Sequence, residues 1–359
     1  MLGTTPRLQS LLVLALISQG SAIPGWPKIQ RESSPLRQEL RTTEALLGLP
    51  PVPFIDIPPA PATVSLGRRL FFDPVLSGNG KASCATCHKP QFGYADDKAL
   101  SAGAVGRASS RNVPSVVNSA YLSSLFWDGR ASTLEEQVRS PIESTEEMDN
   151  TIAEVEKRLN ADATYREEFT EAWGPGPITF AMVEKSIASF ERTLLSGNSP
   201  FDRWKYGHNE GAVSDSVKRG FAIFVSPKKG NCAVCHTVGE QYALFTDNKF
   251  HDIGVGVVSG QVVDAGRFAV THDEADRGRF KTPSLRNIGL TAPYMHDGSL
   301  KDLKQVLDFY IGAGNSHPNL DKEIHTLDFL SGQERRDLLN FLGSLNGGVP
   351  AYEGTRDDR

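Results

Sequence analysis

Apolar residues recur three and four positions apart along most of the chain, the spacing of one face of an α-helix. The pattern predicts helices near Arg37–Leu47, Val64–Phe72, Thr133–Ser140, Ile152–Asn160, Ala163–Trp173 and Thr179–Leu195. It predicts three more near Val213–Phe224, Leu303–Tyr310 and Gly332–Leu345. Strand-like alternation is rare, and glycines and prolines punctuate long loops. The expectation is an all-α fold with long loops between helices. Pro50 to Pro61 reads as a proline-punctuated loop, and the two halves of the chain meet near Asn198–Gly211.

The halves carry related sequences. Pro114-Ser115-Val116-Val117-Asn118 matches Pro283-Ser284-Leu285-Arg286-Asn287. Phe126-Trp127-Asp128-Gly129 matches Met295-His296-Asp297-Gly298 at the same distance downstream, and Leu134 matches Leu303. A repeat of this size predicts two domains related by internal duplication. The expected divisions are residues 1–22, 23–62, 63–205, 206–348 and 349–359. Residues 23–62 form an N-terminal arm and residues 349–359 a C-terminal tail.

Residues 1–22 read as a signal peptide. Arg7 supplies a positive start, Leu11 to Ile17 form a short apolar run, and Gly20-Ser21-Ala22 offers small residues for cleavage. A retained anchor or an unstructured tail are the competing readings. No later run is long enough to be a transmembrane helix. With 359 residues, 23% of them charged, and a net charge of -5, the chain reads as soluble and globular. It has no long Lys/Arg run, so nucleic acid is not an expected partner.

All four cysteines fall in two copies of Cys-x-x-Cys-His: Cys84-Ala85-Thr86-Cys87-His88 and Cys232-Ala233-Val234-Cys235-His236. This is the c-type haem attachment pattern, in which two thioethers hold the porphyrin and the adjacent histidine binds iron. A zinc site, a redox dithiol or a disulfide pair are alternatives for a single copy. Two copies that consume every cysteine in an exported chain argue for two covalently bound haem c groups, with His88 and His236 as proximal ligands. The fold expectation sharpens to two c-type cytochrome domains with haem-wrapping loops. None of the eight histidines lies between His88 and His208. The first haem thus has no local histidine to cap its iron, as a peroxide-reactive haem requires.

Phe126-Trp127-Asp128-Gly129-Arg130, Leu134-Glu135-Glu136-Gln137, Pro141 and Glu146-Glu147-Met148 resemble the bacterial di-haem cytochrome c peroxidase family, including its MauG type. So do Asn112-Val113-Pro114 and Thr291-Ala292-Pro293-Tyr294-Met295-His296-Asp297-Gly298, and the resemblance spans roughly residues 60–345. It implies a distal pocket of Gln137, Pro141 and Glu147 over the first haem. Glu147 would move a proton between the two peroxide oxygens; a solvated helix-end carboxylate is its plainer role. Trp127 would lie between the haems and relay electrons, which is compatible with a place in the core. Asn112, with the carbonyls of Thr291 and Pro293, matches an inter-haem calcium site. The implied partners are hydrogen peroxide and a small electron donor, a cytochrome c or a cupredoxin, or else a protein substrate. Members often form homodimers, and an exported chain of this kind works in the periplasm.

Two positions depart from the cytochrome c peroxidase pattern. Many members carry a switchable distal histidine in a Ser-x-Gly-His stretch; here Ser101-Ala102-Gly103 is followed by Ala104. The methionine ligand expected on the second iron, fourteen residues after His296, is replaced by Tyr310, as in the MauG type. Tyr310 lies twelve residues past Gly298, and Pro141 lies twelve past Gly129, so the repeat places both at one structural position. A core aromatic is the alternative role for Tyr310, and Met295 is the competing ligand. His251, His272, His317 and His325 read as loop or surface histidines. Arg279 and Lys281 read equally as partners of haem propionates or as solvated cations. Lys228-Lys229-Gly230-Asn231 occupies the place of the surface tryptophan through which the MauG type reaches its partner protein. The expected function is an exported di-haem peroxidase. A MauG-like oxidase of a partner protein and a non-catalytic di-haem electron carrier are the alternatives.

Overall fold

The computed structural model describes residues 46–53 and 59–351. The segments expected to be a signal peptide and most of the expected arm and C-terminal tail lie outside the described residues. So does the predicted helix near Arg37–Leu47, except Leu46 and Leu47, which enter a turn rather than a helix. The first half carries α1 (Pro61–Phe72), α2 (Leu134–Glu143), α3 (Ile152–Ala161), α4 (Ala163–Trp173) and α5 (Phe180–Glu191). Then come α6 (Pro200–Lys205), α7 (Asp215–Val225), α8 (Leu303–Ile311) and α9 (Gly332–Gly343). Strands β1 (Phe250–His251), β2 (Val257–Val258), β3 (Gln261–Val262) and β4 (Phe280–Lys281) form two antiparallel pairs, β1 with β4 and β2 with β3. The architecture is mainly helical, as the apolar spacing predicts.

Helix starts follow their caps. Side chains of Thr133, Thr151, Asp162, Ser214, Asp302 and Ser331 each accept a first-turn backbone N–H, satisfying donors that have no partner inside the helix. Most helix ends fall within about three residues of expectation, and two differences are larger. The helix expected over Thr179–Leu195 stops at Glu191, where the chain turns. The stretch expected to join the halves contains α6, with Ser199 and Asp202 bonding each other's backbone in a capping box and Pro200 at the first position.

Two hydrophobic clusters form the interior. One gathers residues from α1 to α5, including Leu70, Phe71, Val138, Val155 and Phe190, with Tyr94 from a turn. The other gathers Phe201, Phe224, Phe245, Leu338 and Phe341. Each is crossed by a helix pair in close approach. A Cβ on Gly67 of α1 would lie 1.8 Å from the Ser186 carbonyl oxygen of α5, and one on Gly220 of α7 would lie 2.0 Å from that of Asp337 in α9.

The repeated sequences adopt repeated backbones. Asn118 and Asn287 are both left-handed, and each opens a 3₁₀ turn, Ser119–Tyr121 and Ile288–Leu290. Phe126 and Met295 both have positive φ, as do Gly129 and Gly298. Leu125 bridges Ala131 as Tyr294 bridges Leu300. Leu134 and Leu303 then start α2 and α8.

A buried ion pair ties Arg286 of the second half to α6 and to the turn at Gly48. Arg286 donates to both oxygens of Asp202 at 2.9 and 3.0 Å, with side chains 2% and 0% exposed, and also to the Gly48 carbonyl. Removing one partner leaves a buried charge uncompensated. Asp202→Ala is therefore expected to destabilise the protein by about 3–5 kcal/mol, read as a lowered denaturation midpoint.

Candidate functional site

Cys84–Cys87 forms a single helical turn, opened by a capping box between Ser83 and Thr86. Residues three apart on a helix share a face, so the turn aligns the two sulfurs. His88 follows with its Nδ1 3.1 Å from the Tyr94 carbonyl. A carbonyl can only accept, so Nδ1 carries the proton and Nε2 is left with its lone pair, the form a metal needs. Burial also lowers the basicity of His88, favouring the neutral ring.

Beside His88 opens a cavity lined by Cys84, Cys87, Trp127, Gln137, Pro141 and Glu147 among others. These are the residues expected at the first haem, and the structure brings them together. Gln137 and Pro141 lie one turn apart on α2, hence on one face. The chain then folds back: Glu147 N–H bonds the Ser144 carbonyl and Met148 N–H that of Pro141, both at 3.1 Å. The loop bearing Ala104 braces this return, with Ala104 N–H 2.6 Å from the Glu147 carbonyl. Gly103 sits so close that a Cβ would lie 2.0 Å from the Glu146 carbonyl. Burial raises the Glu147 carboxyl above its ordinary value, with Arg130 opposing.

The second motif forms a 3₁₀ turn, Cys232–Val234, entered through left-handed Asn231. His236 repeats the His88 arrangement, with Nδ1 2.9 Å from the Phe245 carbonyl. Tyr310 projects from α8 onto the second hydrophobic cluster, which also contacts Cys232. Its phenol is pushed up by burial first, then by the proximity of Cys232 and Cys235. Cys235, Asp247 and His251 also bring potential ligand atoms within 4.8 Å of one another. A cysteine tied as a thioether has no thiolate to give, so this trio does not describe a separate metal site. His251 is instead held by Asp321 at 2.7 Å and Asp247 at 2.9 Å. His317 lies in a loop, as expected, but its side chain is buried and bonded to Asp252 at 3.0 Å. Its burial depends on a carboxylate brought from far away in sequence. His272 and His325 are exposed as expected.

Between the motifs the halves meet around Trp127 in a closed circuit. Its indole N–H donates to the Asn112 carbonyl at 2.8 Å, and Asn112 N–H donates to the His296 carbonyl at 2.7 Å. The His296 ring stacks on Phe280, centroids 3.6 Å apart and planes 14° apart, and meets Trp127 edge-on at 6.5 Å. Lys281, next to Phe280, closes the circuit with its N–H 2.8 Å from the Trp127 carbonyl. Arg111 ties the same junction, bonding Asp128 at 2.6 Å and Asp264 at 2.7 and 2.8 Å. Sequence reasoning missed Arg111, although it adjoins Asn112 and its partner Asp128 lies in a repeated motif. Arg279 lies 3.8 Å from Asp276 in a half-exposed ion pair.

For calcium, Asn112 is buried, and its amide nitrogen donates to the Lys98 and Ala99 carbonyls at 3.1 Å each. Thr291 Oγ1 donates to the Ile288 carbonyl at 3.5 Å, and Pro293 follows a cis peptide. The expected donors are oxygens of the right kind, but Asn112, Thr291 and Pro293 contribute no carboxylate, the feature that tightens calcium sites.

The profile of the family described as "Di-haem cytochrome c peroxidase" matches residues 61–210. The chain is 42% identical to methylamine utilization protein MauG of Methylophilus methylotrophus over 287 residues, covering 79% of this chain and 82% of that protein. The chain belongs to the di-haem cytochrome c peroxidase family. It is also 35% identical to cytochrome c551 peroxidase of Pseudomonas aeruginosa over 294 residues, covering 80% of each. Among solved structures it resembles a MauG-like protein associated with microbial copper homeostasis, with TM-score 0.75, 33% identity and coverage of 85% and 95% of the two chains. Family membership makes the two Cys-x-x-Cys-His motifs attachment sites for two haem c groups. The aligned sulfurs, the Nδ1-anchored histidines and the first cavity fit that role.

One cavity residue escaped sequence reasoning. Glu191, at the end of α5, lines the first cavity, is 4% exposed, and leaves Oε2 without a hydrogen-bond partner among the described residues. Burial pushes its carboxyl up to about 8, so it stays protonated at neutral pH. An acid whose folded pKa is raised loses stability as pH climbs from the unfolded value towards the folded one, because only the unfolded chain ionises there. Glu191→Gln is expected to raise the thermal midpoint more at pH 8 than at pH 5. An equal shift at both would show that Glu191 ionises freely in the fold.

Proposed function

We propose that the chain is an exported, periplasmic peroxidase that reduces hydrogen peroxide to water, taking electrons from a small donor protein such as a cytochrome c or a cupredoxin. Haem supplies the redox-active iron, with His88 holding the peroxidatic group and His236 the electron-accepting one. The observation that carries this reading is the convergence of Gln137, Pro141 and a raised Glu147 on the cavity beside His88. Reduction consumes two protons and two electrons for each peroxide. Glu147, when ionised, takes the proton from one peroxide oxygen and returns it to the other, which leaves as water. The Gln137 amide orients the peroxide by hydrogen bonding. Pro141 offers no ligating atom, and Ala104 stands where a histidine would block access. Trp127, clamped at the junction, carries electrons between the halves. A calcium ion held by Asn112, Thr291 and Pro293 would brace the same junction, and the recurring backbones support two domains that arose by duplication.

Tyr310 favours a second reading, a MauG-like oxidase that modifies residues of a partner protein. A phenolate on the second iron stabilises oxidised states, so oxidising equivalents would be shared between the haems rather than quenched by a donor. Against it, Lys228 and Lys229 stand where a surface tryptophan would be needed, and Lys229 is engaged by Glu334. Steady-state peroxide turnover with reduced cytochrome c separates the two: rapid turnover supports the peroxidase, whereas its absence favours modification of a protein.

Glu147→Gln is expected to slow peroxide turnover about 100-fold or more. The wild-type rate should rise with pH through a midpoint above the ordinary carboxylate range, because the ionised form is the base, and this limb should vanish in the variant. Tyr310→Phe is expected to change the second haem's absorption and paramagnetic resonance spectra, and identical spectra would remove Tyr310 from that iron.

A further inference from the structure

Lys281 belongs to the second half of the chain but lines the cavity of the first haem. It is 7% exposed. Its backbone position is fixed twice, by pairing of β4 with β1 and by its N–H to the Trp127 carbonyl. The ammonium makes no hydrogen bond or ion pair with any described residue, and burial alone draws it down to about 8. The two arginines lining the cavity are already satisfied. Arg111 is taken by Asp128 and Asp264, and Arg130 by Asp128 at 3.0 Å. Burying an ammonium with no counter-ion is costly, so such groups are paired when the protein is complete. The haem that fills this cavity brings two carboxylates, its propionates, and no other anionic group.

We propose that Lys281 is the positioning residue of the first haem, with its ammonium paired to a propionate of that haem from across the junction between the halves. The same short strand then touches the first haem through Lys281, the Trp127 backbone through the Lys281 N–H, and His296 through Phe280. One rigid segment of the second half thereby sets the first haem and Trp127 relative to each other. The inference rests on family membership and on the cavity's lining, not on the role given to Glu147.

The test compares full-length, haem-loaded wild type with Lys281→Met, which keeps the length and removes the charge, and Lys281→Arg, which keeps the charge. Haem content is measured first, and each haem is then titrated by spectroelectrochemistry. The Met variant should show a lower potential for the first haem, because an unpaired propionate stabilises the ferric state, with the second haem unmoved. The Arg variant should stay near wild type. An unchanged first-haem potential in a fully loaded Met variant, or a shift confined to the second haem, overturns the proposal. If the Met variant does not retain its first haem, the Arg variant decides through resonance Raman spectroscopy. Its propionate bending mode should move from the wild-type position, and coincident spectra overturn the proposal. None of these readouts is turnover, so a failed peroxidase reading would leave them intact.

Discussion

Two attachment motifs of the same Cys-x-x-Cys-His pattern impose the constraint on which everything else depends. Each fixes its haem by two sulfurs and offers iron one imidazole, oriented by a backbone carbonyl: Tyr94 for His88 and Phe245 for His236. The near faces are therefore alike, so a difference in what can bind each iron arises on the far faces. The recurring backbone makes this concrete. After the paired turns at Asn118 and Asn287, helices α2 and α8 begin alike and carry Pro141 and Tyr310 at matching places. One scaffold thus presents a residue with no ligating atom in one half and a phenol in the other. In the proposed reading, that substitution turns two copies of a cytochrome into an enzyme.

A peroxidase also needs its halves held in register, because electrons must cross between them. The junction does this with short, directional contacts rather than a broad apolar face. Trp127, Asn112, His296, Phe280 and Lys281 form a closed circuit of hydrogen bonds and ring contacts, and Arg111 adds a bridge to Asp128 and Asp264. Such networks are costly when partly broken, so the indole is held in one orientation. Lys281 extends the circuit towards the first haem.

Much of this was legible in the sequence. Helix spacing located most helices, and Ala163–Trp173 agrees at both ends. The haem motifs are a local pattern; Trp127, Gln137, Pro141 and Glu147 came from the family resemblance and line one cavity in the structure, and the repeat aligned Tyr310 with Pro141. What the sequence did not disclose was made by pairings distant along the chain. Arg111 gains meaning only when Asp264 folds against it. His317 is buried because Asp252 receives it. Glu191 looks like one of many helix-end carboxylates until its neighbours exclude water and strand its Oε2. Lys281 was equally readable as a solvated cation until the fold carried it from the second half into the first cavity. The extra helix α6 is a different case: Ser199-Pro200-Phe201-Asp202 is a local capping signal that was available to be read.

Two haems with the same attachment but unequal far faces would differ in spin state. Electron paramagnetic resonance of the fully oxidised, doubly haem-loaded protein should give one high-spin ferric signal, from an iron beside His88 that is open on its far face, and one low-spin signal, from an iron capped in the second half. Two low-spin signals would contradict this inequality and would make the chain an electron carrier.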